Sequence, residues 1–77
     1  MTRGFITKIV SSYGATWGRI SVQGESRDVF FNAAALDDPS SFPALEVGQE
    51  VEYSEQPDPV NGSRAEHIVL IATPVVG

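Results

Sequence analysis

The side chains that could carry chemistry in this chain are aromatic and basic, and they recur at alternate positions. Trp17 and Arg19 alternate with small and aliphatic residues in segment 17–22, and Phe30 alternates with apolar residues in segment 28–32. Because successive side chains of a β-strand point to opposite faces, all three are expected on the face opposite the aliphatic set. Exposed rings stack on planar groups such as nucleobases, and a guanidinium both stacks and binds phosphate.

Trp17 and Phe30 have a second interpretation, as ordinary core aromatics. We favour an exposed pair because the aliphatic residues on the opposite faces of both segments already supply a core. Lys8 and Arg19, with Arg3 as a further candidate, are ordinary solvated charges when taken singly. Their expected proximity to Trp17 in one sheet favours a local patch of basic and aromatic side chains, which is typical of single-strand binding surfaces.

Two further residues have alternative roles. Tyr13 lies in the loop after the first strand, where its ring either caps the protein core or adds a stacking surface. His67 is interpreted as a surface strand residue, because the sequence has one histidine and no cysteine to share a metal ion with it. The recurring carboxylates near residues 46–55 are interpreted as solvated charge.

The elements that position these residues are short strands. Gly4 to Val10 is β-rich, and alternation recurs downstream between turn-forming Gly, Pro, Asn and Ser residues. The predicted strands are 4–10, 17–22, 28–32, 47–53 and 65–71, with Val47, Val51 and Tyr53 on the inner face of the fourth. Segment 33–46 is predicted as an irregular connection with at most one helical turn, and segment 56–62 as a loop. We therefore predict an all-β, five-stranded antiparallel barrel over residues 1–71 and a tail at 72–77.

Composition limits the classes of function. A chain of 77 residues supports one domain, and without cysteine it excludes disulfide scaffolds, iron–sulfur sites and thiol nucleophiles. We find no catalytic constellation, so we expect a protein that is not an enzyme and has no cofactor, metal or small-molecule substrate. No membrane span or signal segment is found, so we expect a cytoplasmic protein. We also expect a monomer. The net charge of −5 repels nucleic acid at long range, so binding would need a local patch.

Several pieces of the chain form a specific combination. They are an aromatic-Gly-x-Ile second strand, an Asp-Val-Phe third strand and a Leu-x-x-Gly-Gln segment before the fourth strand, within residues 17–20, 28–30 and 45–49. Together they resemble the cold-shock protein family over residues 4–69. The resemblance implies an oligonucleotide-binding-type barrel that binds single-stranded RNA or DNA and acts as an RNA chaperone in the response to stress.

The resemblance also implies roles for individual residues. Trp17 and Phe30 match family rings that stack on bases, and Phe42 matches a loop aromatic that flanks the binding face. Arg64 lies in the loop before the last strand, near that face, and is expected to contact a phosphate or a base.

Four positions depart from the family pattern. Lys8, Arg19, Asn32 and Ala33 stand where the family has tryptophan, phenylalanine, histidine and phenylalanine. Since stacking contributes about 1–3 kcal/mol per base, we expect weaker and more salt-dependent binding than is usual in the family. The predicted interface is Lys8, Tyr13, Trp17, Arg19, Phe30, Asn32, Phe42 and Arg64. The alternative is a barrel of the same fold with little nucleic-acid affinity that binds a protein partner through this face.

Overall fold

The computed structural model describes residues 1–71, so the predicted tail at 72–77 lies outside the described residues. Within them, five strands alternate with turns, and a pair of short 3₁₀ helices, Ala33–Ala35 and Pro39–Ala44, connects the third strand to the fourth. The strands are β1 (Thr2–Ser12), β2 (Ala15–Val22), β3 (Asp28–Asn32), β4 (Glu50–Asp58) and β5 (Gly62–Leu70).

The strands close into a barrel in the order β1-β2-β3-β5-β4, with β4 pairing back to β1. This confirms the predicted five-stranded barrel, and the topology is consistent with an oligonucleotide-binding-type barrel. One pairing differs from the antiparallel prediction: β3 and β5 run parallel and pair at Phe30 and Arg64. The barrel is therefore mixed, because the connection through the 3₁₀ helices and β4 brings β5 alongside β3 in the same direction.

The barrel interior contains the aliphatic residues that the alternation predicted. Twelve hydrophobic residues form one buried cluster: Ile6, Ile20, Val22, Val29, Phe31, Leu36, Phe42, Leu45, Val51, Tyr53, Ala65 and Ile68. Trp17 and Phe30 are absent from this cluster and remain partly exposed. The inner and outer faces of β2 and β3 are therefore confirmed.

A β-bulge in β1 decides the direction of Lys8. Ile6 is opposite Ile20, but Lys8 is opposite Arg19, so two steps along β1 match one step along β2. Strict alternation would send Lys8 inward with Ile6; the extra residue, Thr7, reverses the phase and turns Lys8 outward. The bulge thereby places a lysine on the same face as Trp17 and Arg19.

Gly18 lets the site strands approach closely. A β-carbon built at this position would lie 2.3 Å from the Lys8 carbonyl oxygen and 2.7 Å from the Phe31 ring. Real β-carbons do not come so near, so a side chain here would push β2 away from β1 or displace the Phe31 ring.

The last hairpin differs from its prediction. β4 begins at Glu50 and continues through Pro57 to Asp58, which the sequence assigned to a loop, whereas Val47 lies before the strand and is exposed, so its inner-face assignment was wrong. The Asp58 carboxylate accepts hydrogen bonds from the following turn amides at 2.8 and 2.9 Å. Pro57 is tolerated because it lies exposed near the end of the strand.

No helix among residues 1–71 has both the length and the apolar character needed to cross a membrane.

Candidate nucleic-acid interface

Strand register brings four of the predicted site residues into one row. Lys8 on β1 is opposite Arg19 on β2, Arg19 is opposite Phe30 on β3, and Phe30 pairs with Arg64 on β5. The row crosses the outer surface of the barrel from β1 to β5. An aromatic ring therefore lies between two cationic positions, with a third beyond them.

Trp17 completes the surface. Its ring stacks on that of Phe30, with centroids 5.9 Å apart and planes 27° from parallel. The Lys8 ammonium nitrogen lies 5.3 Å from the Trp17 ring centroid, within cation–π range. We call Lys8, Trp17, Arg19 and Phe30 the aromatic-basic face.

The ion pairs of the protein distinguish Lys8 and Arg19 from the arginines that have carboxylate partners. Arg3 pairs with Glu52 at 3.3 Å, and Arg27 pairs with Glu25 and Glu55 at 2.9 and 2.5 Å. Arg64 has carboxylate partners as well. Among residues 1–71, Lys8 and Arg19 form no salt bridge. These two side chains lie beside the exposed rings.

Arg64 lies within β5, so its predicted place in the loop before the last strand was wrong, and it pairs with Phe30. Acidic neighbours hold its guanidinium. Its Nε donates to Glu66 Oε1 at 3.0 Å, and Nη1 lies 3.7 Å from Asp58 Oδ2 and 3.3 Å from the Pro57 carbonyl oxygen. A phosphate at this position would compete with two carboxylates. Arg64 therefore contributes less positive charge to the surface than Lys8 or Arg19.

Asn32 also lies where the interface was predicted, opposite Trp17 in the β2–β3 register. Its Oδ1 accepts from the Ala34 amide at 3.1 Å and caps the first 3₁₀ helix. The Asn32 side chain is exposed.

The two other predicted aromatics take opposite positions. Phe42 is 1% exposed and packs on Phe31, with ring centroids 6.1 Å apart, so it is a core residue and not a ring flanking the surface. Tyr13 lies in the β1–β2 turn with φ 49° and is fully exposed, which excludes the core-capping alternative. Phe42 is therefore removed from the candidate interface, and Tyr13 stays as an exposed ring at the end of β1 and β2.

Phe5 was missed by the sequence interpretation. It is 39% exposed and lies opposite Ser21, two register rows from Lys8 and Arg19, with the buried pair Ile6 and Ile20 between them. The adjacency of Phe5 and Ile6 was the available signal, because neighbouring residues of a strand point to opposite faces and Ile6 fills the core. Glu50 and Asp28 occupy the same row as Phe5, so this side of the face ends in negative charge.

A groove of about 520 Å³ adjoins the other side of Phe30, between β3, the first 3₁₀ helix and β5. Its polar lining comes from Asn32, Asp37, Arg64, Glu66 and His67. Phe30 therefore belongs both to the stacked pair and to the groove lining.

The shifted pKa values reflect structural contacts. Arg27 lowers the pKa of the Glu55 carboxyl by donating to both of its oxygens, which links the β2–β3 hairpin to β4. Burial raises the pKa of Tyr53. Among the described residues, no group of three His, Cys, Asp or Glu side chains is arranged to hold a metal ion.

No protein-family model matches the chain. No curated protein matches it in sequence. The fold and this surface define a small five-stranded β-barrel whose outer face displays two stacked aromatic rings beside Lys8 and Arg19, which have no carboxylate partner among residues 1–71.

Proposed function

We propose that this protein binds single-stranded nucleic acid through the aromatic-basic face. The observation that carries the proposal is that Trp17 and Phe30 are stacked and partly exposed, whereas Lys8 and Arg19 beside them have no carboxylate partner among residues 1–71. Unpaired bases offer π-faces to rings, and their phosphates offer charge to cations. A single strand supplies both together.

The placement of the rings supports stacking over a structural role. Phe31 and the aliphatic residues of β2 and β3 fill the core, so Trp17 and Phe30 are not needed there. Large apolar side chains kept at a surface between cations are typical of a binding site. Each base stacked on a ring contributes about 1–3 kcal/mol.

The charge distribution predicts weak, salt-sensitive binding. The molecule carries a net charge of −5, and Glu50, Asp28 and the carboxylates around Arg64 border the face. Lys8 and Arg19 supply about two phosphate contacts, so log affinity should fall against log salt with a slope of about −1.4 for a single strand.

The resemblance to the cold-shock family in segments 17–20 and 28–30 supports the same proposal. By analogy with that family, we propose a monomeric cytoplasmic protein that acts without catalysis, as an RNA chaperone in stress, by holding exposed bases apart. A base that is stacked on a protein ring is splayed out of the strand and is not free to pair with another base.

Fluorescence of the sole tryptophan tests the proposal directly, because it belongs to the stacked pair. Titration with oligo-dT and with a short single-stranded RNA should quench Trp17 emission at low salt and less at moderate salt. Phe30→Ala should weaken binding about 5- to 150-fold. Val69→Ala, which removes an exposed apolar side chain from β5 outside the face, is the matched control and should bind as the native protein does.

Absence of a fluorescence response would count against nucleic-acid binding. A native protein whose fluorescence does not respond to either oligonucleotide at about 50 mM salt would reject the proposal. It would favour the alternative in which the same face binds a protein partner.

A further inference from the structure

The seam between β3 and β5 is unusual in this barrel. The two strands pair at Phe30 and Arg64, and the next contact along the seam is an isolated bridge between Leu36 and Ile68. The intervening space is the groove of about 520 Å³ described above. Ligand pockets have volumes of about 300–1,000 Å³, so the groove is large enough for a nucleobase.

The groove opens beside a stacking ring. Phe30 belongs both to the aromatic-basic face and to the groove lining. A strand stacked on Phe30 that continues towards β5 therefore reaches the groove with its next nucleotide.

The carboxylates that line the groove favour entry of the base of that nucleotide over entry of its phosphate. Asp37 and Glu66 contribute carboxylates, and the one guanidinium, that of Arg64, is held by Glu66 and Asp58. Phosphate is repelled by this lining. A neutral base with hydrogen-bond donors on its edge is attracted, because carboxylates accept from amino groups.

Backbone conformation at the groove provides an independent indication. His67 has φ 52° in the middle of β5, where its strand bulges against β4. The bulge keeps Ala65 and Ile68 buried on either side while His67 stays exposed at the groove. Non-glycine residues with positive φ are uncommon and cluster at binding sites, and bulges redirect side chains there.

We propose that this groove is a base pocket that prefers bases carrying an exocyclic amino group, cytosine over thymine or uracil in particular. The inference rests on the proposed single-strand binding and adds base preference to it. The N4 amino group of cytosine donates to the Asp37 or Glu66 carboxylate, whereas thymine and uracil present an O4 acceptor at the same position and meet repulsion.

The test compares oligo-dC with oligo-dT of equal length, about eight nucleotides, by titration of Trp17 fluorescence with the full chain. Both are pyrimidines of equal ring size, so the difference reports on the groups that distinguish them, at N3, C4 and C5. Oligo-dC should bind at least about fivefold more tightly.

Two isosteric variants then locate the preference. In Asp37→Asn and Glu66→Gln the new amide offers a donor as well as an acceptor, so the ratio of oligo-dC to oligo-dT affinity should fall towards one in at least one of them. Glu46→Gln, at an exposed glutamate outside the groove, removes the same charge and should leave the ratio unchanged.

The experiment distinguishes failure of the base pocket from failure of single-strand binding. Equal affinities, tighter binding of oligo-dT, or a native preference that survives both groove variants would overturn the base pocket while leaving single-strand binding in place. Absence of quenching by either oligonucleotide at low salt would overturn both proposals.

Discussion

Trp17 and Phe30 stack on each other although they are not opposed in the β2–β3 register. Trp17 is opposite Asn32, and Phe30 is opposite Arg19, so the rings meet along a diagonal. The right-handed twist of adjacent strands favours such diagonal contacts between large side chains. Arg19 follows Trp17 on the same face of β2 and neighbours Phe30 across the sheet, so a base stacked on either ring lies close to a guanidinium.

Two neighbouring phenylalanines should separate stability from binding. Phe31 is 1% exposed and packs on Phe42, so Phe31→Ala should lower the free energy of unfolding by about 3–5 kcal/mol. Phe30 is partly exposed, and Phe30→Ala should leave the free energy of unfolding within about 1 kcal/mol of native. Urea denaturation measures both; the reverse order would show that the two faces of β3 have been exchanged.

Arg19 should control the salt dependence of binding. Arg19→Ala should weaken single-strand binding and make the slope of log affinity against log salt shallower by about 0.7, one phosphate contact. Arg19→Phe should also make the slope shallower, yet keep or raise affinity at moderate salt because a ring replaces the charge. Arg3→Ala removes an arginine that is paired with Glu52 and serves as the control with an unchanged slope. A slope unaffected by Arg19→Ala would place the phosphate contacts elsewhere.

Glu55 should contribute a pH-dependent part of the stability. Arg27 holds the pKa of its carboxyl below the ordinary 4.5, so the folded state favours the ionised form. The resulting stabilisation is complete above the ordinary pKa and is lost as pH falls through the lowered one. Glu55→Gln should therefore be less stable than native at neutral pH, with the difference shrinking in acid. Thermal denaturation across this range checks it, with Glu46→Gln as the control; a constant difference would contradict the linkage.

The Tyr53 hydroxyl should add nothing to stability. The side chain is 0% exposed, and the hydroxyl has no hydrogen-bond partner among the described residues. Tyr53→Phe should leave the free energy of unfolding unchanged or raise it by up to about 1–2 kcal/mol, because a buried polar group without a partner is destabilising. Tyr53→Ala should lower it by about 3–5 kcal/mol through the lost ring. A clear loss of stability in Tyr53→Phe would reveal a hydrogen bond.

Alternation predicted the faces of β2 and β3 because both strands are regular and one side of each is apolar. It was not sufficient for β1, where the bulge at Thr7 turns Lys8 outward. Sequence alternation carries no information on where a bulge interrupts the register, so the position of Lys8 depended on the family resemblance. Phe5 was missed in the same strand.

Long-range pairing was the other feature that the sequence did not reveal. The parallel contact between Phe30 and Arg64 joins segments far apart in the chain, and the ion pairs that occupy Arg64 follow from that fold. Phe42 lies in a segment without periodicity, so nothing in its neighbours indicated that its ring packs on Phe31.

The sparse pairing of β3 with β5 also bears on the motions of the barrel. Few backbone hydrogen bonds cross this seam, whereas β1 pairs with β2 over most of its length. We therefore expect local opening to cost less free energy at the seam than between β1 and β2, and amide hydrogens of Phe30 and Arg64 should exchange with solvent sooner than those in the centre of β1 and β2. A nucleic-acid strand bound across β3 and β5 would contact both sides of this seam and oppose its opening. Binding should therefore slow amide hydrogen exchange in β5 as well as in β3.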